Sequence, residues 1–243
     1  MRIVLVNPNT THSMTDRMAS AACQVVGDGV EIVPLTSPYG PPSIEGFYDE
    51  AFAVPPMIEA VRDLDGPVDG IVVGCFDDTG VHALRAMTDA PVIGICQAAL
   101  QTASVLGNGL SVVTTLDRSV PALEKIIQDY GFERQCRRVR ATDVPVLDLE
   151  DPKSGARSAI EREIGRALED DRAEVVVLGC AGMVDLSVEL SRTFGVPVVE
   201  GVTAAVKILE GMVTLGLKTS PRRGYAAPRP KTYGGIFSGF SPK

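Results

Sequence analysis

Short runs of aliphatic and β-branched residues recur along the chain, each followed by a stretch whose apolar positions return at helical spacing. Residues 2–6 are a compact apolar run, and over 11–26 Met14, Met18 and Ala22 fall four residues apart, on one helix face. Residues 30–34 predict a second strand that ends at a proline. A Pro- and Gly-rich loop over 37–46 leads into a helical stretch reaching about Leu64, where Pro55 and Pro56 predict a break or a restart. Residues 69–74 then read as strand, 79–87 as helix and 91–95 as strand. The alternation resumes with strands over 110–114, 135–141, 174–178 and 196–199, separated by helices over 119–130, 157–168, 186–194 and 202–215. Continuous apolar strands between helices predict parallel sheets covered on both faces, an α/β fold.

The second half repeats the first. Val72-Val73-Gly74-Cys75 aligns with Val177-Leu178-Gly179-Cys180, and Ala90-Pro91-Val92-Ile93 aligns with Val196-Pro197-Val198-Val199. The cysteine-to-proline distance is 16 positions in one copy and 17 in the other, and an Ala-Ala pair starts seven residues beyond each proline. Val6-Asn7 and Val113-Thr114 open the two copies, each with a Thr-rich turn behind it. The chain reads as a duplicated βα unit. Its two halves are expected to pack about a pseudo-twofold axis.

Bulk properties narrow the chemistry. A formal charge of −8 argues against a nucleic-acid partner, and the arginines at 134, 137, 138 and 140 read as a solvated strand edge. The N-terminal apolar run meets Asn7-Pro8-Asn9 too soon for an export signal, and no run approaches the length of a membrane span. Five widely spaced cysteines without a CxxC pair predict free thiols in a reducing cytoplasm. His12 and His82, far apart, give no histidine metal site, and phosphate-binding glycine motifs are absent from the sequence. No metal and no cofactor are expected.

Ligands of open parallel sheets bind beyond the carboxyl ends of the strands. Cys75 and Cys180 each follow an apolar strand and a glycine, Gly74 or Gly179, and each is expected to open a helix. Such a position lowers a thiol pKa through unpaired N–H groups and the helix dipole, and the glycine lets a ligand approach the backbone. A lone cysteine there is usually a small buried hydrophobe. Two at equivalent positions, facing one cleft, suit the removal of a proton from one face of a carbon and its return to the other. Backbone N–H groups at Phe76-Asp77 and Ala181-Gly182 are candidates to stabilise the resulting charge; one such donor is worth on the order of 3 kcal/mol in other enzymes.

Four segments carry a family resemblance: Asn7-Pro8-Asn9-Thr10, Gly74-Cys75-Phe76-Asp77-Asp78, Leu178-Gly179-Cys180-Ala181-Gly182-Met183 and Val202-Thr203-Ala204-Ala205-Val206. They resemble the hydantoin and allantoin racemase branch of the Asp/Glu racemase superfamily, over nearly the whole chain. The resemblance implies two pseudo-symmetric flavodoxin-like domains with the active site between them, here residues 1–97 with 207–243 and residues 98–206. It implies a cofactor-independent homo-oligomeric racemase of 5-substituted hydantoins, a cyclic ureide such as allantoin included. It places the bases at Cys75 and Cys180, a polar contact at Asn9, and further contacts at Ser43, Ile44, Thr114 and Thr115.

Other residues carry less. Asn9 or Thr10 also reads as a cap of the first helix. Asp77 and Asp78 suit a first helical turn better than a metal, and their charge opposes thiol ionisation at Cys75. Cys96 reads as core at the end of a strand, while Cys23 and Cys136 have no partner motif. The segment Tyr233-Gly234-Gly235-Ile236-Phe237 is a candidate to fold over the cleft or a neighbouring subunit. Two other functions remain open. A dicarboxylate isomerase or decarboxylase would need Arg or Lys in the segments lining the cleft, where none occurs; a small-molecule sensor would need neither thiol.

Overall fold

The computed structural model describes residues 1–151 and 153–242. Its first half runs β1 (Arg2–Asn7), α1 (His12–Val25), β2 (Glu31–Thr36), α2 (Phe47–Arg62), β3 (Gly70–Val73), α3 (Val81–Met87), β4 (Val92–Gly94) and α4 (Ile95–Ser104). The second half runs β5 (Leu110–Thr114), α5 (Val120–Asp129), β6 (Cys136–Ala141), α6 (Ala156–Glu169), β7 (Val175–Leu178), α7 (Ser187–Phe194), β8 (Val198–Glu200) and α8 (Gly201–Thr214). The two four-stranded sheets have orders β2-β1-β3-β4 and β6-β5-β7-β8, parallel throughout. Both orders are the same in pseudo-repeat terms, so the duplication read from the cysteine and proline landmarks is a duplication of topology. The central strands β1, β3, β5 and β7 are buried at nearly every position, as expected for sheets covered on both faces.

The last helix of each half packs across the axis. Helix α8 lies on α1, β3 and β4 of the first sheet, α4 lies on β7 and β8 of the second, and α4 and α8 pack on each other. Their N-termini come so close that a Cβ on Gly201 would sit 2.2 Å from the Ile95 carbonyl oxygen. Helix α4 had no counterpart among the sequence expectations. Ile95, Cys96, Ala98, Ala99, Leu100 and Ala103 are all buried on it, and its polar positions, Gln97, Gln101, Thr102 and Ser104, are half-buried and carry no charge. Cys96 is core, as expected, but on this helix.

Three further expectations are corrected. Helix α2 runs through Pro55 and Pro56 without a break. The carbonyls of Ala51 and Phe52, which lose their N–H partners, belong to exposed residues where solvent can satisfy them. Arg140 is not a solvated edge residue; its side chain is 9% exposed and pairs with Asp171, Asp170 and Glu163. The tail beyond α8 does not cover the cleft. It crosses α3 and α2, with Thr219 bonded to Asp89 and Ala90, Tyr225 to His82, and Arg62 to the Gly239 carbonyl. Among the described residues, no helix is long and apolar enough to cross a membrane.

Candidate active site

The carboxyl ends of β1, β3, β5 and β7 face one cleft of about 420 Å³, its open mouth included. Of the residues expected there, Asn9, Ile44, Gly74, Cys75, Phe76, Asp77, Thr114, Thr115, Gly179, Cys180 and Ala181 line it. Ser43 and Gly182 do not. Ser43 turns its hydroxyl to Glu45, and Gly182 lies one position behind the lining. Sequence reading missed Met14, Ser119 and Val146, which also line the cleft. The first two lie on or beside helices whose apolar periodicity was read as core alone. Val146 opens a 3₁₀ turn (Val146–Glu150) that has no period to detect.

Neither cysteine opens an α-helix. After Cys75 the chain makes a tight turn through Asp78, which has φ +47°, and α3 begins only at Val81. Cys180 precedes a 3₁₀ turn (Ala181–Leu186), with α7 beyond it. The expected lowering of the thiol pKa is therefore absent. Burial pushes the Cys75 thiol well above the ordinary range, with the Asp77 charge adding to it, while Thr79 and the Asp77 backbone act in the opposite direction. Burial pushes Cys180 up to about 11, against a downward pull from the Gly182 backbone and Arg17 and an upward push from Asp77 and Glu45. The backbone N–H groups two residues beyond the cysteines thus favour the thiolates, against the burial. Each thiol feels its own i+2 amide, a local device repeated in both halves.

The glycines before the cysteines serve packing. A Cβ on Gly74 would lie 2.6 Å from Met18 Sδ, and one on Gly179 would lie 2.9 Å from Val112. The first turn is therefore pressed onto α1 and β1 and the second onto β5, while both glycines still line the cleft. Thr114 donates its hydroxyl to the Gly179 carbonyl at 3.0 Å, tying the Cys180 turn to β5. The hydroxyl of Thr79, which sequence reading also missed, donates to Cys75 Sγ at 3.5 Å. A threonine four residues after the cysteine was the available signal, but the second copy has Val184 there, so the repeat hid it.

Asn9 is held by its neighbours. Its Oδ1 accepts from Asn7 Nδ2 and from the Thr11 amide, both at 2.9 Å, while its Nδ2 meets only Met14 Sδ at 3.4 Å. With the oxygen occupied, the Asn9 amide nitrogen is the group left to donate to a ligand carbonyl. The helix cap itself is Thr11, whose hydroxyl makes no cap bond and donates instead to the Pro42 carbonyl. Asp77 is 9% exposed, and burial with the charges of Glu50 and Asp78 pushes its carboxyl up to about 7. Asp78 serves a different purpose. It accepts from the amides of Cys96 and Gln97 at 2.9 and 3.0 Å and from Tyr130 Oη at 2.8 Å, capping α4 from another loop. In the second half Glu200, the residue equivalent to Gly94, caps α8 directly through the amides of Val202 and Thr203.

Two equivalent turns, each presenting a thiol to one cleft, on two half-chains of identical strand order, define a pseudo-symmetric α/β protein with paired thiols. The chain belongs to the Asp/Glu/hydantoin racemase family, whose model matches residues 3–209. A hydantoin racemase of Rhizobium meliloti is 46% identical over 236 residues, 97% of this chain and 98% of that protein. Among solved structures, allantoin racemase from Klebsiella pneumoniae has a TM-score of 0.95 at 39% identity, covering 100% of both chains. Allantoin racemase from Pseudomonas fluorescens has a TM-score of 0.94 at 43% identity, covering 97% of this chain and 100% of that one. The resemblance read from the four sequence segments therefore extends to the whole fold.

Proposed function

We propose that this protein racemises 5-substituted hydantoins, allantoin among them, by taking the proton from ring C5 with one cysteine and returning one from the other. The observation that carries this reading is the placement of Cys75 and Cys180 in the wall of a single cleft, at equivalent points of two halves. Proton removal next to a carbonyl puts charge on oxygen, and the Asn9 Nδ2 and the Thr115 hydroxyl are the cleft donors suited to hold it. Ring C5 lies between the C4 carbonyl and the ureide nitrogen N1, which makes it acidic enough for a thiolate base, so the reaction is read as needing neither metal nor cofactor.

Among the described residues the cleft lining includes no Arg or Lys, and Asp77 adds negative character. This favours a mostly neutral cyclic diamide over a dicarboxylate. On the same reading residues 1–97 with 207–243 and residues 98–206 are the two domains. The five free thiols support a reducing cytoplasm, and exposed Phe47, Tyr48 and Phe52 support self-association into a homo-oligomer.

The test follows the circular dichroism of single-enantiomer allantoin and of an alkyl- or benzyl-substituted hydantoin, with a chelator present. Decay to zero is expected. In D₂O, Cys75→Ser and Cys180→Ser should each abolish racemisation, while each retains C5 exchange for one enantiomer only. Exchange that stayed equally fast for both enantiomers in either variant would refute the two-base assignment.

A further inference from the structure

Each cysteine turn is braced by the opposite half of the molecule, but the two braces differ in charge. On the Cys75 side, Tyr130 at the end of α5 reaches across to Asp78, a neutral phenol meeting a carboxyl group. On the Cys180 side, Arg17 on α1 spans the axis. Its Nη2 donates to the Gly182 carbonyl at 3.1 Å, and its Nε and Nη2 pair with Asp185 Oδ2 at 3.0 and 2.9 Å. Ser13, one helical turn earlier, donates to Glu150 Oε2 at 2.9 Å, and Arg17 Nη1 lies 4.0 Å from Glu150 Oε1. Helix α1 of the first half therefore clamps both 3₁₀ turns that flank the Cys180 side of the cleft. Arg17 is not among the residues lining the cleft, so it has no direct place at the substrate.

The clamp fixes Gly182, which lies so near the Cys180 sulfur that an added Cβ would sit 3.7 Å from it. It also brings in a guanidinium, 29% exposed, whose charge favours the Cys180 thiolate. The charged groups facing Cys180 come from three elements: Arg17 from α1, Asp77 from the turn after β3, and Glu45 from the loop before α2. Asp185 and Glu150 are paired with Arg17, and Glu200 of β8 is engaged by the start of α8. Arg17 is thus the cation of the set, whereas the charged residue acting most strongly on Cys75 is an anion, Asp77.

We propose that Arg17 is a positioning residue for Cys180: it fixes Gly182 beside the sulfur and sets a positive charge on that side of the cleft, so that negative charge is accommodated better at Cys180 than at Cys75. The assignment rests on the two-base reading for its catalytic consequence, but not for its effect on the thiols. In such an enzyme the two enantiomers meet thiols that ionise with unequal ease.

The experiment measures iodoacetamide alkylation of each cysteine in the folded protein by peptide mass spectrometry across pH 6.5–9.5, beside C5 exchange of both enantiomers in D₂O. Arg17→Gln is expected to slow alkylation of Cys180 about tenfold at pH 8, the loss that one pKa unit brings, while Cys75 changes by less than about twofold. Exchange of the enantiomer served by Cys180 should fall by a similar factor. Arg17→Lys keeps the charge without the planar fork and should recover about half of the loss on a logarithmic scale. Equal slowing of both thiols, an unchanged Cys180, or no recovery in Arg17→Lys would overturn the proposal. Selective slowing of Cys180 in a protein that exchanges neither enantiomer would support the Arg17 assignment and defeat the racemase reading.

Discussion

Gly94 is the point at which a single methyl group should disable half of the site. It ends β4 and precedes α4, at φ −91°, where any residue is conformationally acceptable. Its Cα is covered by the Asp78 carboxyl group: a Cβ there would lie 2.0 Å from Oδ1 and 2.1 Å from Cγ. Asp78 is 7% exposed and has little room to yield, so Gly94→Ala requires its carboxyl group to retreat by about 1 Å or more. Amide bonds of 2.9 and 3.0 Å do not survive such a shift. Hydrogen bonds to an ionised group contribute about 1.5–3 kcal/mol each, so losing the two cap bonds costs about 3 kcal/mol even at the low end. The entropic gain from replacing glycine offsets less than about 1 kcal/mol of this.

For a chain of this size that corresponds to a fall in Tm of roughly 5–10 °C. The turn should move with the carboxyl group, because the Asp78 amide donates to the Cys75 carbonyl at 3.0 Å. Exchange of the enantiomer served by Cys75 should therefore fall more than that of the other. Urea unfolding of native protein, Gly94→Ala, Asp78→Ala and the double variant forms the decisive cycle. If the clash with Asp78 is the cause, Gly94→Ala should cost less than about 1 kcal/mol in the Asp78→Ala background. A full penalty in that background, or a native-like Gly94→Ala, would refute the argument.

Two further outcomes are expected. Thr79→Val removes the donor to Cys75 while keeping the shape; about 1 kcal/mol of lost hydrogen bonding should slow exchange through Cys75 roughly fivefold and leave the Cys180 direction unchanged, as isotope exchange of each enantiomer will show. The carboxyl of Asp77, held at about 7 when folded, lies above its ordinary value, so the folded state holds the proton more tightly. Its contribution to stability is then fully present at low pH and is lost as pH rises from about 4 to about 7. Between pH 5 and pH 8 the native protein should lose about 1–3 kcal/mol more stability than Asp77→Asn, measured by urea unfolding, and equal losses would contradict that account.

The sequence by itself determined the duplication and the class of fold. Strands buried on both faces must be apolar throughout, and the spacing of Gly-Cys and Pro landmarks survives because each marks a strand end that the same topology reuses. The two thiols and most of the cleft wall were legible for that reason, since the carboxyl ends of parallel strands converge whatever the loops do. The family segments were legible as well, because backbone turns against a sheet tolerate few side chains.

Tertiary structure alone decided the electrostatics. A cysteine after a strand looks activated in sequence, but what surrounds it in space is buried protein and Asp77, and desolvation outweighs what one backbone amide supplies. Helix α4 was hidden because most of it is buried between the two halves and its few polar positions carry no charge. Asp78 capping α4 and Arg17 reaching Gly182 both join segments distant in the chain, which no local pattern encodes. The pseudo-twofold axis is a property of the backbone. The asymmetry of charge around the two cysteines belongs to side chains that only folding brings together.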